Sequence, residues 1–305
     1  MNDSSVIKDE QLTQRRDFTV FEDGQLTHKS EWAHNWNGLF SSGASNGSII
    51  KYIRTILPKN TIFLIPHSDG NFFECQIPKQ IIERANETNK ILMVGVIGQS
   101  FYQETMNYVY LPLDDRIFDD GIINFLNKDL IPWNERSNQL FWRGACSGFG
   151  ENSIRIQTTK SLFNRKDSNV RLVGRWKDEK NIPECYFGEI CNYTEFMKYK
   201  IHFIIDGHVI SSMHMFGFAS GGVPFLISNA KCWFSDFIIP NVHYIPIKYD
   251  LSDLHEKIDW VKNNDKEAEQ IANNALEFSK THFTPEFQRK YLKDTIDRYC
   301  NKLKK

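Results

Sequence analysis

The 305-residue chain lacks an excess of either charge: 37 Lys and Arg stand against 38 Asp and Glu, a formal net charge of -1. No global basic field is available to hold a nucleic-acid backbone, so nucleic acid is excluded as a partner. No CxxC pair occurs, and six cysteines in a chain of this length make no disulfide framework. Free thiols are expected, Cys185 and Cys191 included. The start, Met1 to Val6, has neither a basic nor an apolar signal region. No stretch of about 18 apolar residues is present to span a membrane. These absences lead to the expectation of a cytoplasmic protein, with the basic end Lys302 to Lys305 either solvated or in peripheral contact with an anionic membrane surface.

Other absences bear on chemistry. The chain has no HExxH and no DxD tripeptide, and His67, His208, His214 and His243 show no ligand spacing, so no metal site is expected. No GxGxxG fingerprint is present, which counts against a dinucleotide enzyme such as an epimerase. One GxSxG occurs at Gly43 to Gly47, but no buried strand leads into it, so it is no nucleophile elbow.

What is present is an ordinary globular composition, 41% hydrophobic and 13% aromatic, in a length suited to two domains. Residues 1–20 are polar and are expected to be poorly ordered. Continuous apolar runs at 61–66, 91–97 and 108–113 read as buried strands, separated by a helix at 78–86 opened by Pro78. A second series follows: strands near 139–144, 170–173, 201–205, 223–227 and 244–247, with helices at 154–163 and 210–219. Helices at 253–261, where Asp253 and Glu256 have capping-box spacing, at 268–278, and from Pro285 close the chain. Strands with continuous apolar runs alternating with helices predict α/β domains built on parallel sheets covered on both faces. The expected division is 21–135, 136–280 and a last helix at 281–305.

Three clusters carry candidate chemistry. In Phe141-Trp142-Arg143-Gly144-Ala145-Cys146-Ser147-Gly148 a strand delivers Arg143 into a loop of small residues. Backbone N–H groups and an arginine fork can bind a phosphate there, and Arg155 on the next helix can reach the same anion. The alternative is a buried arginine paired with a carboxylate beneath a tight turn. Asp206-Gly207 through Ser211, Ser212 and His214 form a strand, glycine turn and helix start of the kind that cradles phosphate, or a plain turn with serine caps. Asp69 follows a buried strand and can accept a proton from a hydroxyl; Asp114 and Asp115 occupy a similar strand end, and all three can equally be turn residues.

Read in order, Asp206-Gly207 to Ser211, Gly222-Val223-Pro224-Phe225, Trp233-Phe234, Ile239 to Ile247 and Asp250 to Leu254 resemble glycosyltransferase family 90, and Phe141 to Gly144 with Arg155 resembles its upstream motif. The resemblance covers about residues 139–300. It implies a GT-B fold of two Rossmann-like domains facing across a cleft, an inverting mechanism, no metal or other cofactor, and a nucleotide-sugar donor, commonly UDP-linked. It also implies a glycan or glycoprotein acceptor and a monomer or weak dimer. Carried onto this chain, Arg143, Gly144, Ser147 and Arg155 would line the diphosphate and sugar. Gly207, Ser211 and Ser212, with His214, would form a second phosphate loop, and Asp69 would be the base. Asp114, Asp115 and His243 are secondary candidates. The protein O-glucosyltransferase branch carries an arginine where this chain has Met213. That departure points toward a glycan acceptor in surface polysaccharide, lipopolysaccharide or viral glycan synthesis, and leaves a degenerate nucleotide- or glycan-binding module as the alternative.

Overall fold

The computed structural model describes residues 18–29, 48–66, 77–96, 98–99, 107–112, 125–148, 153–174, 181–207, 210–211 and 213–302. Contacts divide the chain into two compact α/β units, residues 1–119 with 285–305, and residues 120–284.

The first unit opens with a hairpin, β1 (Phe18–Glu22) and β2 (Gln25–Lys29). Its two-residue turn is Asp23-Gly24, both with positive φ (54° and 77°). That is the geometry whose twist matches paired strands. Phe18, Thr19 and Val20 are buried, so the end of the segment expected to be poorly ordered is core strand. An Asp-Gly pair between Phe18-Thr-Val-Phe and Gln25-Leu-Thr-His was the signal for it. Helix α1 (Ser48–Ile56) precedes β3 (Thr61–Pro66), and then come α2 (Lys79–Glu87), β4 (Ile91–Val96) and β5 (Asn107–Tyr110). The sheet order is β2-β1-β3-β4-β5. β3, β4 and β5 run parallel, whereas β1 is antiparallel to β3, so this sheet is mixed rather than purely parallel. Asp23 fixes the hairpin: its Oδ1 accepts from the Asn60 and Thr61 N–H groups at 2.7 and 3.2 Å. The last helix, α7 (Pro285–Lys302), puts Leu292 and Ile296 into the core of this unit with Phe21, Ile53 and Phe63. Spaced i,i+4, the two side chains share one helix face.

The second unit contains β6 (Ser137–Ala145), α3 (Ile154–Leu162), β7 (Ser168–Val173), β8 (Tyr199–Ile205), α4 (Met213–Ala219), β9 (Val223–Ile227), β10 (Ile245–Pro246), α5 (Leu254–Asn263) and α6 (Asp265–His282). Every neighbouring pair is parallel, in the order β7-β6-β8-β9-β10. The first strand of this series therefore lies between the second and third. In such sheets ligands bind beyond the carboxyl ends of the strands flanking the reversal. Here that point is between β6 and β8.

Alternation along β6 decides what each face carries. Trp142 points to one face, where α3 lays Arg155 over its indole with the guanidinium carbon 5.8 Å from the ring centroid. Phe141 and Arg143 point to the other, where Phe141 stacks on Tyr199 at 4.1 Å. α4 covers this second face, with Gly217 against Ile204 and His202. The start of α5 differs from the capping-box reading. Asp253 makes no side-chain cap bond and instead accepts from the Lys248 N–H at 2.9 Å.

Candidate active site

The carboxyl ends of β6 and β8 meet at Arg155. Its Nε donates to the Asp206 carbonyl at 3.0 Å and the Ile205 carbonyl at 3.3 Å. Nη1 donates to the Ala145 carbonyl at 2.9 Å and to Ser147 Oγ at 2.7 Å, and Nη2 to the Ile205 carbonyl at 3.1 Å. The side chain is 6% exposed, and burial pulls its pKa down to about 10, which leaves it a cation at neutral pH. No carboxylate pairs with it directly among the described residues; Asp206 acts on it at longer range. A guanidinium with four of its five N–H groups so bonded is held rigid while its charge remains unpaired.

Two glycines shape the surface around it. A Cβ on Gly207 would lie 2.7 Å from Ser147 Oγ and 3.3 Å from Arg155 Nη2, so glycine lets the backbone beyond β8 pack close against both groups. A Cβ on Gly144 would lie 2.3 Å from the Trp142 indole, so only glycine lets that ring fold under the strand end. Ser153, just before α3, has a buried Oγ with no hydrogen-bond partner among the described residues. The helix N-terminus behind it offers N–H groups and the positive end of a dipole.

Next to Gly207, Asp206 is 4% exposed. Its Oδ2 accepts from Ser228 Oγ at 2.9 Å and from the Asn229 N–H at 3.0 Å, tying the end of β8 to the end of β9. Its Oδ1 stands 3.2 Å from His214 Nε2, an electrostatic contact without an aligned hydrogen bond. His214 Nδ1 lies 3.1 Å from both the Ser211 N–H and the Ser211 carbonyl, and Nε2 faces Asp206. Tyr249, in the loop after β10, completes the edge. Burial raises its phenol pKa foremost, and Asp206 and Arg155 both act on it.

This edge sets a buried guanidinium, a serine hydroxyl and a helix N-terminus together at the reversal point of a parallel sheet. Residues 120–305 match glycosyl transferase family 90. The chain belongs to this family. A protein O-glucosyltransferase 2 from Danio rerio is 30% identical over 156 residues, covering 49% of this chain and 30% of that protein. An uncharacterised protein of invertebrate iridescent virus 6 is 29% identical over 200 residues, covering 54% of this chain and 17% of that protein. The chain thus spans less than a third of the length of these relatives. Among solved structures, sucrose-phosphate synthase from Thermosynechococcus elongatus superposes with a TM-score of 0.45 at 10% identity, over 83% of this chain and 70% of that one.

Of the residues expected from the resemblance to family 90, the structure gathers Gly144, Ser147, Arg155 and Gly207 at one strand edge. Ser211 lies next to them, its N–H taken by His214. His214 itself is 2% exposed with Nδ1 on Ser211 and Nε2 on Asp206, so it braces the loop from below instead of reaching a ligand. Arg143 does not join Arg155. The pleat sends it to the opposite face, where it bonds the Asn169 carbonyl and side chain, both at 2.7 Å. His243 belongs to a tight turn before β10, at the amino end of that strand, with Nδ1 accepting the Ile239 N–H at 2.9 Å. Asp69, Asp114, Asp115 and Ser212 lie outside the described residues, as does the GxSxG at 43–47. Met213, at the position of the departing arginine, is buried in the core.

The sequence reading had not singled out Asp206 itself, Ser228, Asn229 or Tyr249 as site residues. Each follows a strand it had placed, and position beyond a parallel strand's carboxyl end was the available signal. The free thiols are as expected: Cys146, Cys185, Cys191, Cys232 and Cys300 are unbridged. Among the described residues no group of three or more metal-ligating side chains is found, and no helix is long and apolar enough to cross a membrane.

Proposed function

We propose that this chain is a metal-independent, inverting glycosyltransferase that uses a nucleotide-sugar donor. One observation carries the reading: the buried Arg155, held by main-chain carbonyls and packed against Ser147 and Gly207, at the reversal point of the second sheet. The donor diphosphate would sit over Gly207, against Ser147 Oγ, the Arg155 charge and the N-terminus of α3. Charge that develops on the leaving diphosphate would meet donors already fixed in place, so little reorganisation accompanies the reaction. The two α/β units are read as the halves of a GT-B enzyme, with the second holding the donor. Asp69, following β3 of the first unit, would take the proton from the acceptor hydroxyl as it attacks the anomeric carbon. The donor is read as UDP-linked, carrying glucose, xylose or a related sugar, and the acceptor as a surface or viral glycan. The zebrafish relative's name, a protein O-glucosyltransferase, supports sugar transfer of this class.

Asp69→Ala should keep donor affinity and lose transfer. A thermal-shift panel of UDP, GDP, CMP and their sugars, with and without EDTA, tests the donor. Ligand binding to the folded state raises the melting temperature by mass action. A selective shift insensitive to EDTA supports the reading, and wild-type transfer by Asp69→Ala overturns the base. Met213 favours a second reading, a degenerate nucleotide-binding module, because the expected cation is replaced by a buried apolar side chain. Measured turnover with any donor dismisses it.

A further inference from the structure

Across the sheet from Arg155, Arg143 on β6 and Arg171 on β7 are register partners in the parallel pair. Neighbouring strands lie about 4.8 Å apart, so the two cations start side by side. Neither touches a carboxylate among the described residues. Glu195, whose charge acts on Arg143, makes its ion pair with Lys198 at 2.7 Å. Arg143 has three hydrogen bonds, one to the Trp142 carbonyl and two to Asn169. Arg171 has one, to the Val170 carbonyl at 2.8 Å. An arginine carries about five N–H donors, so both forks retain donors, and those of Arg171 are mostly unspent. Each guanidinium lies over an aromatic ring, Phe141 at 4.9 Å and Phe163 at 5.0 Å, which holds it in place without neutralising it. Gly188 borders both: a Cβ there would lie 3.0 Å from Arg171 Cβ and 3.3 Å from Arg143 Nε. The chain thus passes over the pair with its smallest residue.

Two adjacent cations with no carboxylate in contact among the described residues raise the energy of the free protein, and burial foremost, with Arg171 beside it, already lowers the Arg143 pKa. An oxyanion relieves that repulsion. A carboxylate would leave one cation unmatched, whereas a phosphate monoester carries about −1.5 to −2. We infer that Arg143 and Arg171 form a second anion site, distinct from the donor site, which binds a phosphate monoester group. The ligand is a phosphorylated sugar or free phosphate. This inference goes beyond the donor reading and does not depend on it.

The test is calorimetric titration of inorganic phosphate, then of glucose 6-phosphate, at constant ionic strength set by KCl. Wild type, Arg171→Gln and Gly207→Ala are compared. Wild type and Gly207→Ala should bind phosphate alike, while Arg171→Gln weakens it by about tenfold or more and keeps the wild-type response to UDP. Tighter binding of glucose 6-phosphate than of phosphate assigns a sugar ester; equal binding assigns the free ion. If Arg171→Gln melts well below wild type, Arg143→Lys serves instead, since it retains charge but loses the fork. Phosphate binding lost in Gly207→Ala and kept in Arg171→Gln would put the anion in the donor site and overturn the inference. So would a wild-type protein that shows no phosphate heat.

Discussion

The two faces of the second sheet hold their arginines in opposite ways. On one face Arg155 is buried and held chiefly by main-chain carbonyls, so it is rigid and its position follows from the strands. On the other, Arg143 and Arg171 retain donors and lie beside each other. An arginine on the helix after a strand and arginines on the strands themselves thus become a fixed ledge and an open fork. The difference teaches that an arginine's role is set by how many of its donors the backbone consumes.

The largest expected effect comes from breaking the fixed side. Arg155→Met should leave the Ala145, Ile205 and Asp206 carbonyls without their donor. Each unsatisfied buried group costs about 1–3 kcal/mol, so a loss of several kcal/mol in urea unfolding, together with loss of donor binding, is expected. The same change at Arg143 should cost less stability and leave the UDP response intact; equal losses at both sites would erase the contrast between the faces.

Gly207→Ala is a gentler probe. Its methyl would press on Ser147 Oγ, a hydroxyl able to rotate, so folding should be nearly retained. Displacing Ser147 Oγ and crowding Arg155 should weaken UDP by about tenfold, or about 1.4 kcal/mol. Unchanged UDP affinity would move the diphosphate elsewhere.

A separate effect, on stability alone, comes from pH. His202 shares the Phe141 face, is fully buried, and is pulled down to about 3 by burial first and by Arg136 second. The unfolded chain takes up the proton near the ordinary value of 6.5, so the folded state is fully stabilised above that pH. Stability should fall as pH drops from 6.5 toward 3, by up to about 1.4 kcal/mol per pH unit from this residue alone. His202→Gln should flatten that slope in urea titrations at successive pH values. An unchanged slope would show that His202 is not the source.

By itself the sequence determined the order and type of most elements. Continuous apolar runs can be satisfied only by strands buried on both faces, and β3 and β9 lie where Thr61 to Pro66 and Val223 to Ile227 placed them. The hairpin at Asp23-Gly24 was also legible there, although polarity nearby masked it. The family was legible from Asp206 to Leu254 read as an ordered string. Tertiary structure decided the rest. Which strands become neighbours, and hence that β6 and β8 flank the reversal point, depends on contacts far apart in the chain. The pleat, with its period of two, sent Arg143 away from Arg155, although each lies near the same loop in sequence. Burial turned His214 from a candidate ligand into a brace, because a side chain's partners are set by what folds against it and not by its own chemistry.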